Sequence, residues 1–208
     1  MTADRIGPLS GVAFVAIAIV SFAIGGEPKS ADEPVQEVVD WYKDNKDSVQ
    51  IGALLTGVAM LFLVWWGGNL RRVLRAAEGE GGVLSAVVLI ATAIIGIGFT
   101  IDATIAFAIA ERVDDIDPTA VQAMQALWDS DFLPIALGVT LFLFSTGISI
   151  VRHGAFPKWM GWVLIVGGLF SFTPLFFVGG IIAALFTVVA SVMLSLRAGE
   201  PAAGPTAP

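Results

Sequence analysis

Residues 159–196 read WMGWVLIVGGLFSFTPLFFVGGIIAALFTVVASVMLSL, a run of 38 residues (159 to 196) without one charged side chain. A helix needs about 20 apolar residues to cross a ~30 Å hydrocarbon core. The run is therefore too long for one crossing and fits two of about 18. Pro174 and the pair Gly179-Gly180 supply the breakers, which places the hairpin turn within 173–180. Outward from this run, the stretches 7–26, 49–70, 83–110 and 132–151 meet the same length test. The sequence thus predicts an all-α polytopic membrane protein with six transmembrane helices. They form one domain over residues 1–197, followed by a disordered cytoplasmic tail at 198–208.

Composition supports that class. Of the 208 residues, 56% are hydrophobic and 14% charged, against about 25% charged in a soluble domain. Mean hydropathy is +0.85. With no cysteine, disulfides, thiolate metal sites and cysteine nucleophiles are excluded. A single histidine, His153, excludes paired imidazole ligands, and no metal or cofactor is expected. The net charge of −7 argues against nucleic acid, whose phosphates select Lys and Arg. The first apolar run is longer than a signal-peptide core and lacks a small-x-small cleavage site, so it reads as a retained span.

Orientation follows the Lys/Arg distribution. With the N-terminus inside, the inner segments hold Arg5, Arg71, Arg72, Arg75, Arg152, Lys158 and Arg197, and the outer loops hold Lys29, Lys43, Lys46 and Arg112. Both termini are expected in the cytoplasm and the chain in the plasma (inner) membrane. Of the 18 acidic residues, most lie in the two outer loops.

Those loops resemble each other. EPVQEVVDWYKDNKDS (33–48) and DPTAVQAMQALWDSD (117–131) both begin acid-Pro, a helix-start signal with the acid as N-cap. Both continue with apolar residues at helical spacing: Val35, Val38 and Tyr42, then Val121, Met124 and Trp128. GVAMLFLVWWGGNLRR (57–72) also aligns, with one gap, to GVTLFLFSTGISIVR (138–152). Spans 1 and 2 with their short amphipathic outer helix therefore form a unit repeated by spans 3 and 4. The outer helices are expected to lie along the membrane surface, or to form an acidic lid or a docking surface that offers Trp41, Tyr42 and Trp128 to an extracytoplasmic partner.

One charge lies inside a span. GFTIDATIA (98–106) carries Asp102, and a carboxylate in hydrocarbon costs roughly 2.5–3.5 kcal/mol on insertion scales, so it faces a cavity, water or a partner. Centring the 83–110 run puts Asp102 about four residues, or ~6 Å, below the outer boundary. It is the leading candidate for an ion, solute or partner site, and it has no carboxylate or histidine nearby in sequence with which to form a catalytic set. Thr187, Ser191 and Ser195 make a polar stripe on span 6 suited to helix packing. Arg152, Lys158, Trp159 and Trp162 read as an interfacial anchor on lipid.

The segment Arg152-His153-Gly154-Ala155-Phe156-Pro157-Lys158-Trp159-Met160-Gly161-Trp162, followed by VLIVGGL, resembles a phrase in a family of prokaryotic six-span membrane proteins, the domain of unknown function 4386. There a basic residue, Gly, Pro, a basic residue and Leu/Trp-Gly join span 4 to span 5. The resemblance implies the six-span architecture and no activity. The functional expectation is a non-enzymatic accessory or interaction protein with an acidic extracytoplasmic face, partnered by the bilayer, by another membrane or extracytoplasmic protein, or by a second copy. The alternative is a small transporter or channel-like protein for a cation, proton or small solute, using Asp102.

Overall fold

The apolar runs form helices throughout. A computed structural model describes residues 3–197 as α1 (Ala3–Gly25), α2 (Val35–Asp44), α3 (Lys46–Glu78), α4 (Val83–Arg112), α5 (Pro118–Ser130), α6 (Leu133–His153), α7 (Lys158–Phe170) and α8 (Phe176–Arg197). The tail expected at 198–208 lies outside the described residues. The order long, short, long occurs twice, as α1–α2–α3 and α4–α5–α6, and α7–α8 follows without a short helix.

Among the described residues, five helical stretches are long and apolar enough to cross a membrane. The sixth, α7, has only 13 residues, about 20 Å of helix. The sequence placed the 159–196 turn at 173–180, and the structure starts it at Ser171. Ser and Thr chemistry explains the shift. The Ser171 hydroxyl donates to Gly167 O (3.2 Å), the Thr173 hydroxyl donates to Phe170 O (2.8 Å), and Thr173 Oγ1 accepts from Leu175 N (3.1 Å). Pro174 also steers Thr173 away from helical geometry. Gly179 and Gly180 consequently stay inside α8, where Gly179 lets the helix pass close to Ser171.

The six main helices close a ring, each touching the next in the order α1, α3, α4, α6, α7, α8 and back to α1. Its outer wall carries exposed apolar side chains such as Leu61 (72%), Leu185 (61%) and Leu196 (70%). That belt would be an aggregation surface in water and suits lipid. Lipid tails are as apolar as leucine, so cohesion in such a ring comes from close packing and hydrogen bonds. Gly147 of α6 meets Gly161 of α7 backbone to backbone, and Gly52 of α3 meets Gly25 of α1. Beside that second contact the Ser21 hydroxyl donates to Gly52 O (2.7 Å) and shares a hydrogen with Thr56 Oγ1 (2.7 Å). Thr187 and Ser191 of the α8 stripe are buried against Gly11 of α1. At the opposite end Glu78 accepts from Ser149 Oγ of α6 (2.6 Å) and from Ser85 N of α4 (3.2 Å), tying three helices together.

The family-like phrase at 152–162 is the corner between α6 and α7. Gly154 ends α6 in the left-handed region (φ 79°), and Pro157 precedes the first residue of α7. Phe156 is buried between them, under the Arg197 guanidinium at 5.5 Å, while Arg197 Nη1 also donates to Ala155 O (3.1 Å). A Cβ on Gly154 would meet no neighbour, so Gly154→Ala is opposed by backbone strain alone. The expected loss is about 1–2 kcal/mol, read as a lower unfolding midpoint without loss of the purified protein.

The short helices form the second layer, a cap over one end of the ring. Of the two expectations, a position along the membrane surface and a lid, the first does not hold for α2. Instead the apolar stripe of α2 is covered by protein. Val38, Val39 and Tyr42 are buried against Val121 of α5, Val49 of α3, Ile109 and Ala110 beyond Asp102 on α4, and Val113 just past its end. α5 starts as expected, with the Asp117 carboxylate accepting from Thr119 N (2.8 Å) and Pro118 following. α2 does not: it starts at Val35 with Pro34 as cap residue and no side-chain cap, and Glu33 lies outside it.

Candidate functional site

Asp102 is half-buried on α4, ten residues (112 minus 102) before that helix ends at Arg112. Thr100 and Thr104, its neighbours at i±2, bond back to their own helix and face a separate groove with Leu54 and Phe107. Asp102 instead lines a cavity of ≈620 Å³ open at the capped end, a vestibule between the α1–α2 loop, α4, the end of α5 and the start of α6. Among the described residues its wall holds four carboxylates, Asp32, Asp102, Asp129 and Asp131, and no basic side chain.

The four acids differ in their commitments. Asp129 is held by three donors: Gln125 Nε2 (2.7 Å), Ala31 N (2.8 Å) and Ser30 Oγ (3.2 Å). It pins the loop after α1 to α5, helped by Gln122 Nε2 donating to Ala31 O (2.8 Å). Asp131 lies close enough to interact with Asp102, and its Oδ2 is buried without a hydrogen-bond partner. The indole N–H of Trp128 approaches the Asp102 carboxylate outside regular hydrogen-bond geometry. Asp129 is thus the committed acid of the vestibule, while Asp102, Asp131 and the exposed Asp32 keep carboxylate oxygens free to meet a ligand, Asp102 and Asp131 being the two that are half-buried.

Behind this wall a buried relay sets its shape. The Tyr42 hydroxyl donates to Gln125 Oε1 at 2.7 Å, and Gln125, itself fully buried, donates on to Asp129. Burial first, then the negative charges of Asp129 and Asp102, hold the Tyr42 hydroxyl far above the ordinary phenol range. A raised acid pKa favours the neutral form in the fold, so this stabilisation is full below the unfolded value of about 10 and is lost as pH rises above it. Tyr42→Phe leaves Gln125 Oε1 buried without a donor, an expected cost of about 1–3 kcal/mol. It is also expected to remove part of the alkaline loss of stability, read from unfolding midpoints between pH 8 and pH 11.

Of the residues expected to face a partner, Tyr42 is fully buried against α5 and does not face outward. Trp41 is half-buried, edge-on to Tyr42 with ring centroids 5.1 Å apart. Trp128 turns toward Asp102 in the vestibule wall. The anchor residues sit differently: Arg152, Lys158, Trp159 and Trp162 are all exposed, the two indoles on the outward face of α7. Asp129 and Asp131 were missed in the sequence because they fall in a loop helix already explained as a solvated acidic face. Gln125 could have been noticed, as a polar residue on the apolar stripe of α5.

A family profile described as "Domain of unknown function (DUF4386)" matches residues 9–202. The chain belongs to the DUF4386 family. In this DUF4386 chain the match runs from residue 9, within α1, through α8, and takes in the cap and the vestibule. No curated protein and no solved structure matches it.

Proposed function

We propose that this DUF4386 protein is a non-enzymatic membrane protein that accepts a small cationic solute at Asp102, as the entry site of a small transporter or channel-like pathway. The observation that carries the reading is the uncompensated vestibule: four carboxylates, only Asp129 committed to protein donors, around an open cavity with no basic side chain among the described residues. Walls of one charge sign concentrate counter-ions, and a carboxylate kept in a span is retained for a pathway or a partner. In this reading the chain crosses the plasma membrane six times, with α7 completing its crossing through the turn at 171–175. The capped end is extracytoplasmic and both termini are cytoplasmic. The basic side chains of the α3–α4 and α6–α7 corners support that orientation.

The test uses the full chain in phosphatidylcholine proteoliposomes, with labelled methylammonium as probe at pH 6, where little neutral amine leaks. Uptake above protein-free vesicles is expected, cut by tenfold or more in Asp102→Asn and unchanged in Glu37→Gln on the exposed face of α2. Equal uptake by all three proteins sinks the proposal.

The accessory reading keeps one support, the exposed acidic face of α2 with Glu37, Asp40 and Asp44, beside an exposed Leu127 on α5. It ranks second because the apolar residues that would anchor a partner are used in the cap itself. It predicts a co-purifying protein from native membranes that is lost when Leu127 and Asp40 are replaced.

A further inference from the structure

Beneath the acidic vestibule lies a second cavity of ≈390 Å³, inside the ring among α1, α3, α4, α6 and α8. The two share Phe22, Phe99, Ile135 and Phe176 as a common neck. Phe22 packs edge-on to Phe99 at 6.2 Å, and Phe176 packs on Phe132 at 6.1 Å. The lower chamber is walled almost wholly by apolar side chains, and its volume lies in the range of small-molecule sites, about 300–1,000 Å³.

The chamber also opens sideways. α1 and α8 are tightly packed where Gly11 meets Ser191 and Thr187. Toward the capped end they part: Phe22 turns to Phe99 of α4 and Phe176 to Phe132, the residue before α6. Ile19 of α1 and Ile181 of α8 line the chamber between them and are both more than half exposed. That gap lies in the apolar belt, so the chamber communicates with the lipid-facing surface and the vestibule with water.

From this arrangement we infer that the site takes a single-tailed amphiphile with a cationic head, its tail in the chamber and its head in the vestibule beside Asp102 and Asp131. The inference rests on the cation reading above and narrows it. A purely apolar ligand would leave Asp131 Oδ2 without a donor, and a small hydrophilic cation would leave the chamber unfilled. An anionic or zwitterionic lipid would bring phosphate against four carboxylates. At about 30 Å³ for a water-sized group, the chamber holds roughly a dozen methylenes.

The test measures saturable shifts in unfolding midpoint for the full chain in phosphatidylcholine nanodiscs. The probes are dodecylammonium, methylammonium and dodecanol. Dodecylammonium is expected to bind at least ~100-fold tighter than methylammonium, because burying each methylene adds affinity, and dodecanol is expected to give no saturable shift. Asp102→Asn is expected to weaken dodecylammonium by tenfold or more. Gly180→Leu is the second variant. Gly180 lines the chamber and a Cβ there meets nothing within 4 Å, so the wall has room for a larger side chain that narrows the cavity. It is expected to weaken dodecylammonium by tenfold or more and leave methylammonium unchanged. Equal binding of methylammonium and dodecylammonium, or indifference to Gly180→Leu, overturns the amphiphile inference and leaves the cation reading standing. Equal binding of dodecanol and dodecylammonium, or binding indifferent to Asp102→Asn, overturns both.

Discussion

Gly52→Val is expected to be the most damaging single substitution in the ring, costing upward of about 3 kcal/mol and most of the folded yield. A Cβ on Gly52 would stand 2.8 Å from Gly25 Cα, 3.0 Å from Gly25 N and 3.1 Å from Ser21 O. All three are backbone atoms of α1, so no rotamer change relieves the clash and the helix itself must move away. Moving α1 also breaks the hydrogen bonds that link Ser21 Oγ with Gly52 O and Thr56 Oγ1. The reverse substitution gives the sharper test. A Cβ on Gly25 would lie 3.7 Å from Gly52 Cα, an ordinary contact, so Gly25→Ala is expected within about 0.5 kcal/mol of the parent. Size-exclusion profiles and unfolding midpoints in a mild detergent separate the two. Similar behaviour of both variants would mean that the helices do not meet in this register.

Asp102→Asn is expected to have the largest effect on ligand binding, about 10- to 100-fold. Two unit charges 4 Å apart attract by about 4 kcal/mol at an effective dielectric of 20. The vestibule is open to water, so part of this is screened. A charge-assisted hydrogen bond, worth about 1.5–3 kcal/mol, is the better guide, and 1.4 kcal/mol is tenfold in affinity. Asp131→Asn should fall in the same direction. The double variant is expected to lose less than the sum of the singles, because the two carboxylates interact and would share one cation. Asp129→Asn should behave otherwise. Its carboxylate is occupied by Gln125, Ala31 and Ser30, so stability falls before affinity does. Methylammonium titrations at two ionic strengths check the electrostatic origin: binding should weaken with salt for the parent and less steeply for Asp102→Asn, which keeps the other vestibule carboxylates.

The helices themselves were legible in the sequence. Long apolar runs bounded by Gly, Pro and charge specify where a chain must satisfy its own backbone hydrogen bonds, and that information is local. The repeat of long, short and long helices, the start of α5 at Asp117-Pro118 and the corner at Gly154 and Pro157 were legible for the same reason. The early turn at Ser171 was harder to read, because Ser and Thr end helices through hydroxyl contacts that a count of apolar residues ignores.

Tertiary structure alone decided the site. In the sequence Asp102 stands by itself, 29 residues (131 minus 102) from Asp131. Only the return of α5 over α4 brings Asp131 and Trp128 to it. The stripe of Val38, Val39 and Tyr42 specified an amphipathic helix but not its partner, since bilayer, another protein or α5 bury the same face equally well. The chamber left no mark in the sequence at all. Its lining residues are ordinary span residues, and the space exists because α1 and α8 touch at Gly11 and part toward Phe22 and Phe176. Local propensity specifies a helix and its apolar face; which faces meet, and where they fail to meet, depends on the packing of all six helices together.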